Sequence, residues 1–465
     1  MCDNNKKNDM LHGNLFKGML LFALPLALTN LLQVLFNLSD LAIVGNFAGA
    51  NAAIGLGAVG STAILVTLFT GFVIGLGGAI NVIVAKYLGA HDAENTKASL
   101  NAGLVASVII GAILAVVGYF LTPVILELIE TKEAFMAKAV LYLRVYLLGM
   151  PALAIYNYGN GVFSAIGDTK KPLYILTASG VLNIILNLFF VVIVKIDVLG
   201  VALASIISQY LSAVVIIIFL AMRHDEIKLS FKNFYLKKAN FLEIIKLGIP
   251  AGVQNSIFAI ANLFIQNAVN SFDDVIVEGN SVAMNYDSIF YDVMSAFYMA
   301  GASYIGQAFG AGDYKRIKKS FGIAIIYSFS FALVLGLLFF FFGSFFLLLF
   351  TQDETIIVAG LKRSRIMALS YCVSAFMDAP IAACRGLGKT IVPSIITIMG
   401  SCLFRILWIF TIFKYYHTIP SLYLLYVFSW TLTAIFELGY FFILYRRLIK
   451  KNDGLNAKTN LQIGL

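Results

Sequence analysis

Runs of about 20 or more apolar residues recur from residue 16 to residue 446, separated only by short charged or Gly/Pro/Asn-punctuated joints. A helix of that length crosses a lipid hydrocarbon core, and lipid tolerates only structures that satisfy their backbone hydrogen bonds internally. Such a chain is constrained to be a bundle of transmembrane helices. Composition agrees: 60% of the 465 residues are hydrophobic and 12% are charged, against about a quarter charged in a soluble domain. The polar start "MCDNNKKNDMLHGN" leads into the first apolar run without a small-residue cleavage site, so the first helix is expected to remain as the first span.

Breaking the chain at charge clusters and helix-breaking residues predicts twelve spans, near 16–45, 53–86, 98–122, 138–164, 172–194, 198–221, 243–270, 280–307, 319–350, 356–384, 392–414 and 421–446. With the N-terminus inside, 24 of the 33 Lys and Arg residues fall on inside segments, while the outside segments include the acidic "SFDDVIVEG" and "QDET". The positive-inside rule then puts both termini in the cytoplasm of a multi-pass plasma-membrane protein, here of the bacterial inner-membrane kind. The net charge of +9 serves that orientation, and no nucleic-acid partner is expected. Cys2, Cys372, Cys384 and Cys402 form no CxxC pair, and His12, His91, His224 and His417 fall in loops or near helix ends. Neither a disulfide framework nor a zinc site is implied.

The chain also repeats itself. "KYLGAHD" at 86–92 closes span two and "QAFGAGD" at 307–313 closes span eight, 221 residues later. "AIGDTKKP" matches "GLGKTIVP" at the same offset through Gly167/Gly388, Thr169/Thr390 and Pro172/Pro393. "LPLALTNLLQVLFN" pairs with "IPAGVQNSIFAIAN" at an offset of 225, through Pro25/Pro250, Asn30/Asn255 and Asn37/Asn262. The expected organisation is a six-helix half at 1–222, a cytoplasmic linker at 223–240, a second six-helix half at 241–450 and a tail at 451–465. Six is even, so the halves are parallel repeats, an arrangement in which transporters place substrate between halves that rock against each other. Within the motif, Gly89 and Gly310 are expected to end their helices in the left-handed conformation, and Asp92 and Asp313 to cap the next ones.

Acids inside the expected spans are few: Asp40, Asp287, Asp292, Asp378 and Glu437. A charged Asp at a helix centre costs roughly 2.5–3.5 kcal/mol, so it faces a cavity or a partner. Asp40 follows Asn37 by about one turn in "LFNLSDLAIVG", and its repeat counterpart is Ile265. A coupling role for Asp40 stands against simple contact with headgroup water near the span's end. Asn183 and Asn187 in span five, and Ser205 and Gln209 in span six, share the i, i+4 spacing that sets each pair on one face. Their oxygens suit a hard cation or a proton relay, the alternative being interhelical adhesion. In span eight, Met284, Asp287, Tyr291, Met294 and Tyr298 form a stripe that can line a cavity for organic cations or simply pack. Arg144, Arg385 and Arg405 are expected to snorkel or to pair with Asp378 and Glu437.

The segments "LPLALTNLLQVLFNLSDLAIVGNFAG", "AKYLGAHD", "SAIGDTKKP", "NAVNSF", "SVAMNYDSIFY", "GQAFGAGD" and "CRGLGKTIVP" occur in an order that resembles the MATE (multidrug and toxic compound extrusion) transporters of the wider flippase superfamily. The resemblance implies an all-α membrane protein of twelve helices in two lobes forming a V. It implies export of cationic or amphipathic small molecules in exchange for H⁺ or Na⁺, with no other cofactor and no enzyme chemistry, by a chain working as a monomer. The family's first-helix acid falls on Asp40, its fifth-helix pair on Asn183 and Asn187, and its sixth-helix hydroxyl on Ser205. Where the family has Asp in the second of that pair, this chain has Asn187, which removes one carboxylate from the implied Na⁺ site and favours proton coupling.

Three alternative classes stand beside this one. Major facilitator transporters share twelve helices but carry an Arg-rich loop after span two that "GAHDAENTK" does not resemble. A lipid-linked sugar flippase of the same superfamily is the nearest rival. An integral membrane transferase needs a convergent His/Asp or paired acidic constellation at one membrane face, which the sequence does not offer.

Overall fold

The computed structural model describes residues 10–463 except 48, 50, 51, 233, 349 and 350; the side chains of Asn37 and of 453–463 also lie outside the description, as do Cys2, Lys6 and Lys7. The helices are α1 (Leu15–Phe47), α2 (Ala52–Gly89), α3 (Ala93–Leu128), α4 (Glu133–Leu147), α5 (Met150–Ala165), α6 (Lys170–Leu188), α7 (Asp197–Ala221), α8 (Lys238–Val269), α9 (Asp274–Gly310), α10 (Tyr314–Leu347), α11 (Glu354–Gly386), α12 (Ile391–Thr397), α13 (Phe404–Trp408) and α14 (Ile419–Ile463). Short π-helical turns extend α6 to Ile193 and fuse α12 and α13 into one column reaching Phe413. Among the described residues ten columns are long and apolar enough to cross a membrane, and α4 with α5 makes an eleventh as a bent pair. The twelfth is α9, whose 37 residues suffice at roughly 1.5 Å each but carry Asp274, Glu278, Asp287 and Asp292. The expected tail continues α14 as helix through Ile463.

Span four, expected as one helix, is broken by a bend of 46° between α4 and α5. Pro151 supplies no backbone N–H and starts the new helix in its first turn. At the bend the Leu148 carbonyl accepts from Tyr210 Oη at 3.1 Å. The repeat-equivalent residue is Cys372, and there α11 runs unbroken.

Two apolar clusters lie toward the end away from the chain termini, one in each half. The first joins Ile43, Leu65, Phe69 and Leu143, and the second joins Ile265, Tyr286, Phe290 and Trp430. At the end that carries the termini the halves are stitched together. Met19, Phe22 and Leu26 of α1 pack with Phe297 and Tyr304 of α9, and Leu76, Ile80 and Ile83 of α2 pack with Ile244 and Leu247 of α8. Each lobe therefore keeps its own core at one end and shares cores at the other. Between α7 and α8 the connecting segment lies on α3, with Ile227 and Leu229 buried and Tyr235 Oη donating to the Glu94 carbonyl at 2.9 Å.

The repeated motif is half as expected. Asp92 and Asp313 accept from the backbone N–H of Asn95 (3.0 Å) and Arg316 (2.9 Å), which caps α3 and α10. The Asn95 side chain and backbone N–H hold the Asp92 carboxyl below its usual range. The left-handed residues, however, are His91 (φ 53°) and Gly312 (φ 71°), two positions beyond the glycines. Gly89 and Gly310 stay helical and serve close approach instead. A Cβ on Gly89 would lie 2.0 Å from the Gln307 carbonyl oxygen, and one on Gly310 would lie 1.9 Å from that of Lys86. Lys86 and Gln307 are themselves repeat equivalents, so the two copies of the motif pack on each other.

Candidate functional site

Asp40 sits on α1 against α6 and α7. Asn187 Nδ2 donates to Asp40 Oδ1 (2.5 Å) and to Asn183 Oδ1 (3.1 Å). Ser205 Oγ donates to Asp40 Oδ2 (3.3 Å) and accepts from Asn183 Nδ2 (3.4 Å). These four side chains close a ring, and all are buried: Asp40 is 7% exposed and Asn187 0%. The i, i+4 spacing on α6 sets both amides on one face, and a π-helical turn follows directly at Phe189–Ile193. Asn37 lies one turn earlier on α1, with its side chain outside the described residues.

Among the described residues Asp40 has no cationic partner. A buried carboxylate without a counter-charge is costly, so the ring favours a carboxyl group that holds either a proton or a cation. The oxygens fit both. Asn187 Oδ1 is buried without a partner, and with Asn183 Oδ1, Ser205 Oγ and the carboxylate it makes a hard-donor set of the kind Na⁺ takes. No cluster of three His, Cys, Asp or Glu residues able to hold a metal occurs among the described residues. The second half does not duplicate the ring, because Ile265, the counterpart of Asp40, is part of an apolar core.

The expected cavity stripe on α9 is only partly a stripe. Met284 and Tyr291 are exposed (43% and 39%) on one face, together with Ser288. Met294 is fully buried beside Phe290, Met367 and Tyr371, because at about 100° per residue it lies well round the helix from Met284. Asp287 pairs with Arg363 of α11, whose guanidinium lies 5.1 Å from the Tyr423 ring. Gln209 lies neither in this stripe nor in the Asp40 ring: its Oε1 lies over Gly149, 2.1 Å from where a Cβ would stand, filling the α4–α5 bend. Of the two roles expected for the three arginines, pairing with Asp378 or Glu437 is not what the structure shows. Arg144 stacks on Tyr119, Arg385 donates to Gln254 Oε1 (3.0 Å), and Arg405 donates to Ser429 Oγ (3.1 Å) over the ring of Tyr426. Among the described residues none of them forms an ion pair with Asp378 or Glu437, and Glu437 accepts from Thr397 Oγ1 (3.2 Å). The neutral acceptors meet only part of the guanidinium donors: Arg385 Nε and Arg405 Nη2 stay buried without a hydrogen-bond partner among the described residues.

Arg363 was not singled out from sequence, although it falls inside the expected span at 356–384, because its acid lies 76 positions away on another helix. Arg363→Met is expected to leave the half-buried Asp287 unpaired at a cost of about 1–3 kcal/mol. Thermal unfolding of the purified protein in detergent checks this through a lower midpoint; an unchanged midpoint would dismiss the pair as structural.

The MatE family model matches residues 25–189 and 250–411, one stretch in each half. The "Probable multidrug resistance protein YpnP" of Bacillus subtilis (strain 168) is 32% identical over 312 residues, covering 67% of this chain and 69% of that protein. The "Probable multidrug resistance protein YoeA" of the same organism is 26% identical over 395 residues, or 83% and 84% of the two chains. A solved structure described as the outward-facing conformation of a multidrug resistance MATE family transporter of the MOP superfamily superposes with a TM-score of 0.87. It covers 96% of this chain and 99% of that one at 21% identity, which shows a shared fold. With both halves matched and the twelve-column, two-lobe fold in common, the chain belongs to the MatE family of multi-pass membrane transporters.

Proposed function

We propose that this protein exports cationic or amphipathic organic compounds in exchange for protons, by alternating access of its two lobes, with Asp40 as the coupling group. The observation that carries the reading is the closed ring of Asp40, Asn183, Asn187 and Ser205, which holds one buried carboxyl and no second charge. One proton neutralises that group completely and leaves its hydrogen-bond partners in place. The multidrug resistance names of the relatives support the substrate class. The shared cores at the terminus-bearing end support a state open toward the opposite end. In this reading both termini face the cytoplasm of the plasma membrane, the lobes are 1–222 and 241–450 joined by the 223–240 linker, and a single chain is the working unit. Na⁺ is the second reading, favoured by the unpartnered Asn187 Oδ1.

Purified protein in vesicles, loaded with a fluorescent organic cation, separates these readings. A pH gradient alone is expected to drive export, with an imposed Na⁺ gradient at clamped pH doing nothing. Export under the Na⁺ gradient alone would replace the proton with Na⁺, and no export under either gradient would overturn the function.

A further inference from the structure

Pairing with Arg363 removes Asp287 from the open face of α9, which leaves a question about what reads a substrate's positive charge. Five residues further along the same helix is Asp292. Met284, Ser288 and Tyr291 mark the exposed strip, and at about 100° per residue Asp287 and Asp292 fall on its opposite flanks. Asp287 faces α11. Asp292 lies toward α1, where Asn30 Nδ2 donates to its backbone carbonyl (3.1 Å) and to Ser295 Oγ (2.9 Å). Those bonds engage the Asp292 backbone and leave its carboxylate free. Among the described residues the half-buried Asp292 carboxylate has neither an ion pair nor a hydrogen bond. An acid within a membrane span without a protein partner is expected to meet a cavity or a ligand.

The same stretch of α9 offers surfaces that suit an organic cation. Tyr291 is next in sequence, and its hydroxyl accepts from Tyr298 Oη at 3.2 Å, with the two rings 6.5 Å apart in an edge-on pair. Met284, two turns earlier on the same strip, adds a polarizable, adaptable surface. A carboxylate beside aromatic faces attracts a delocalised cation through both charge and quadrupole, without demanding a fixed hydrogen-bond geometry. The Asp40 ring differs on each count: it is buried, internally hydrogen-bonded and formed between α1, α6 and α7. We propose that Asp292, with Tyr291, is the substrate-recognition site, and that it selects organic cations; this rests on the export function given above. Coupling and recognition then belong to two acids in different surroundings, Asp40 of α1 and Asp292 of α9.

Equilibrium binding of tetraphenylphosphonium to the full-length protein in lipid nanodiscs tests this without requiring transport. Asp292→Asn is expected to weaken binding by about tenfold or more, and Asp292→Glu to restore most of it. Tyr291→Leu, which keeps an apolar side chain at this partly exposed position, is expected to weaken binding by about threefold or more through loss of the aromatic face. Binding to Asp292→Asn and Tyr291→Leu within twofold of wild type, or no binding to the wild type, would overturn the assignment. Wild-type binding that depends on Asp292, with no export from vesicles, would uphold the site and reject the export reading.

Discussion

Asp40→Asn is expected to slow proton-driven export by about a hundredfold while the protein remains folded and inserted. The amide has the size and shape of the carboxyl it replaces. Its oxygen can still accept from Asn187 Nδ2, and its nitrogen can turn to the Ser205 hydroxyl. What disappears is the group whose charge changes when a coupling ion binds. A ligand shifts a conformational equilibrium only by its differential affinity for the two states, so a ring that no longer binds the ion cannot transmit its gradient. Gradient-free exchange of labelled for unlabelled substrate, which needs no coupling ion, should persist. The check is the initial efflux rate in vesicles under a pH gradient, alongside exchange at equal pH. A wild-type gradient-driven rate in the variant would remove Asp40 from the mechanism.

The legible and illegible parts of this chain divide along a physical line. Features set by short-range periodicity were readable: the apolar columns, the Asn183/Asn187 pair one turn apart, and the Asp caps after the repeated motif. The members of the ring around Asp40 stood out as polar residues on apolar helices, but their grouping came from the resemblance to MATE transporters, and Gln209, which the same spacing put beside Ser205, lies at the α4–α5 bend instead. Pairings between distant helices were not. Nothing local in the sequence says that Asp287 faces α11 while Asp292, five residues on, faces α1; that depends on how α9 is rotated in the bundle. Prolines were equally ambiguous. Pro25, Pro250 and Pro380 all sit inside continuous helices, whereas Pro151 follows a break. The break goes with Gly149 beside it, where Gln209 occupies the space a side chain would need, and with Tyr210, which serves the Leu148 carbonyl. The glycines of the repeated motif misled in the same way: their use is the approach of another helix.

That approach supports the last expected result. Gly310→Leu should open the terminus-bearing end of the transporter and reduce export by about tenfold or more. In the structure this end is held shut by α2 and α9 at backbone distance. Gly310 faces the Lys86 carbonyl and Gly89 faces that of Gln307. Asn81 Nδ2 donates to Ser303 Oγ (2.8 Å) one to two turns deeper, and Gln307 Nε2 donates to the Ala165 carbonyl (2.6 Å). A leucine cannot enter a gap where even a Cβ would lie 1.9 Å from a carbonyl oxygen, and the obstacle is backbone, which has no rotamer to yield. The helices must separate, at an overpacking cost of about 1–3 kcal/mol that falls only on the state closed at this end. The equilibrium then moves toward the opposite state, and the cycle stalls there. Amide hydrogen exchange over 80–90 and 300–312 should rise in Gly310→Leu, with Gly310→Ala intermediate, while the outer clusters around Phe69 and Phe290 keep their protection. Unchanged exchange together with wild-type export in Gly310→Leu would mean that this contact is not a gate.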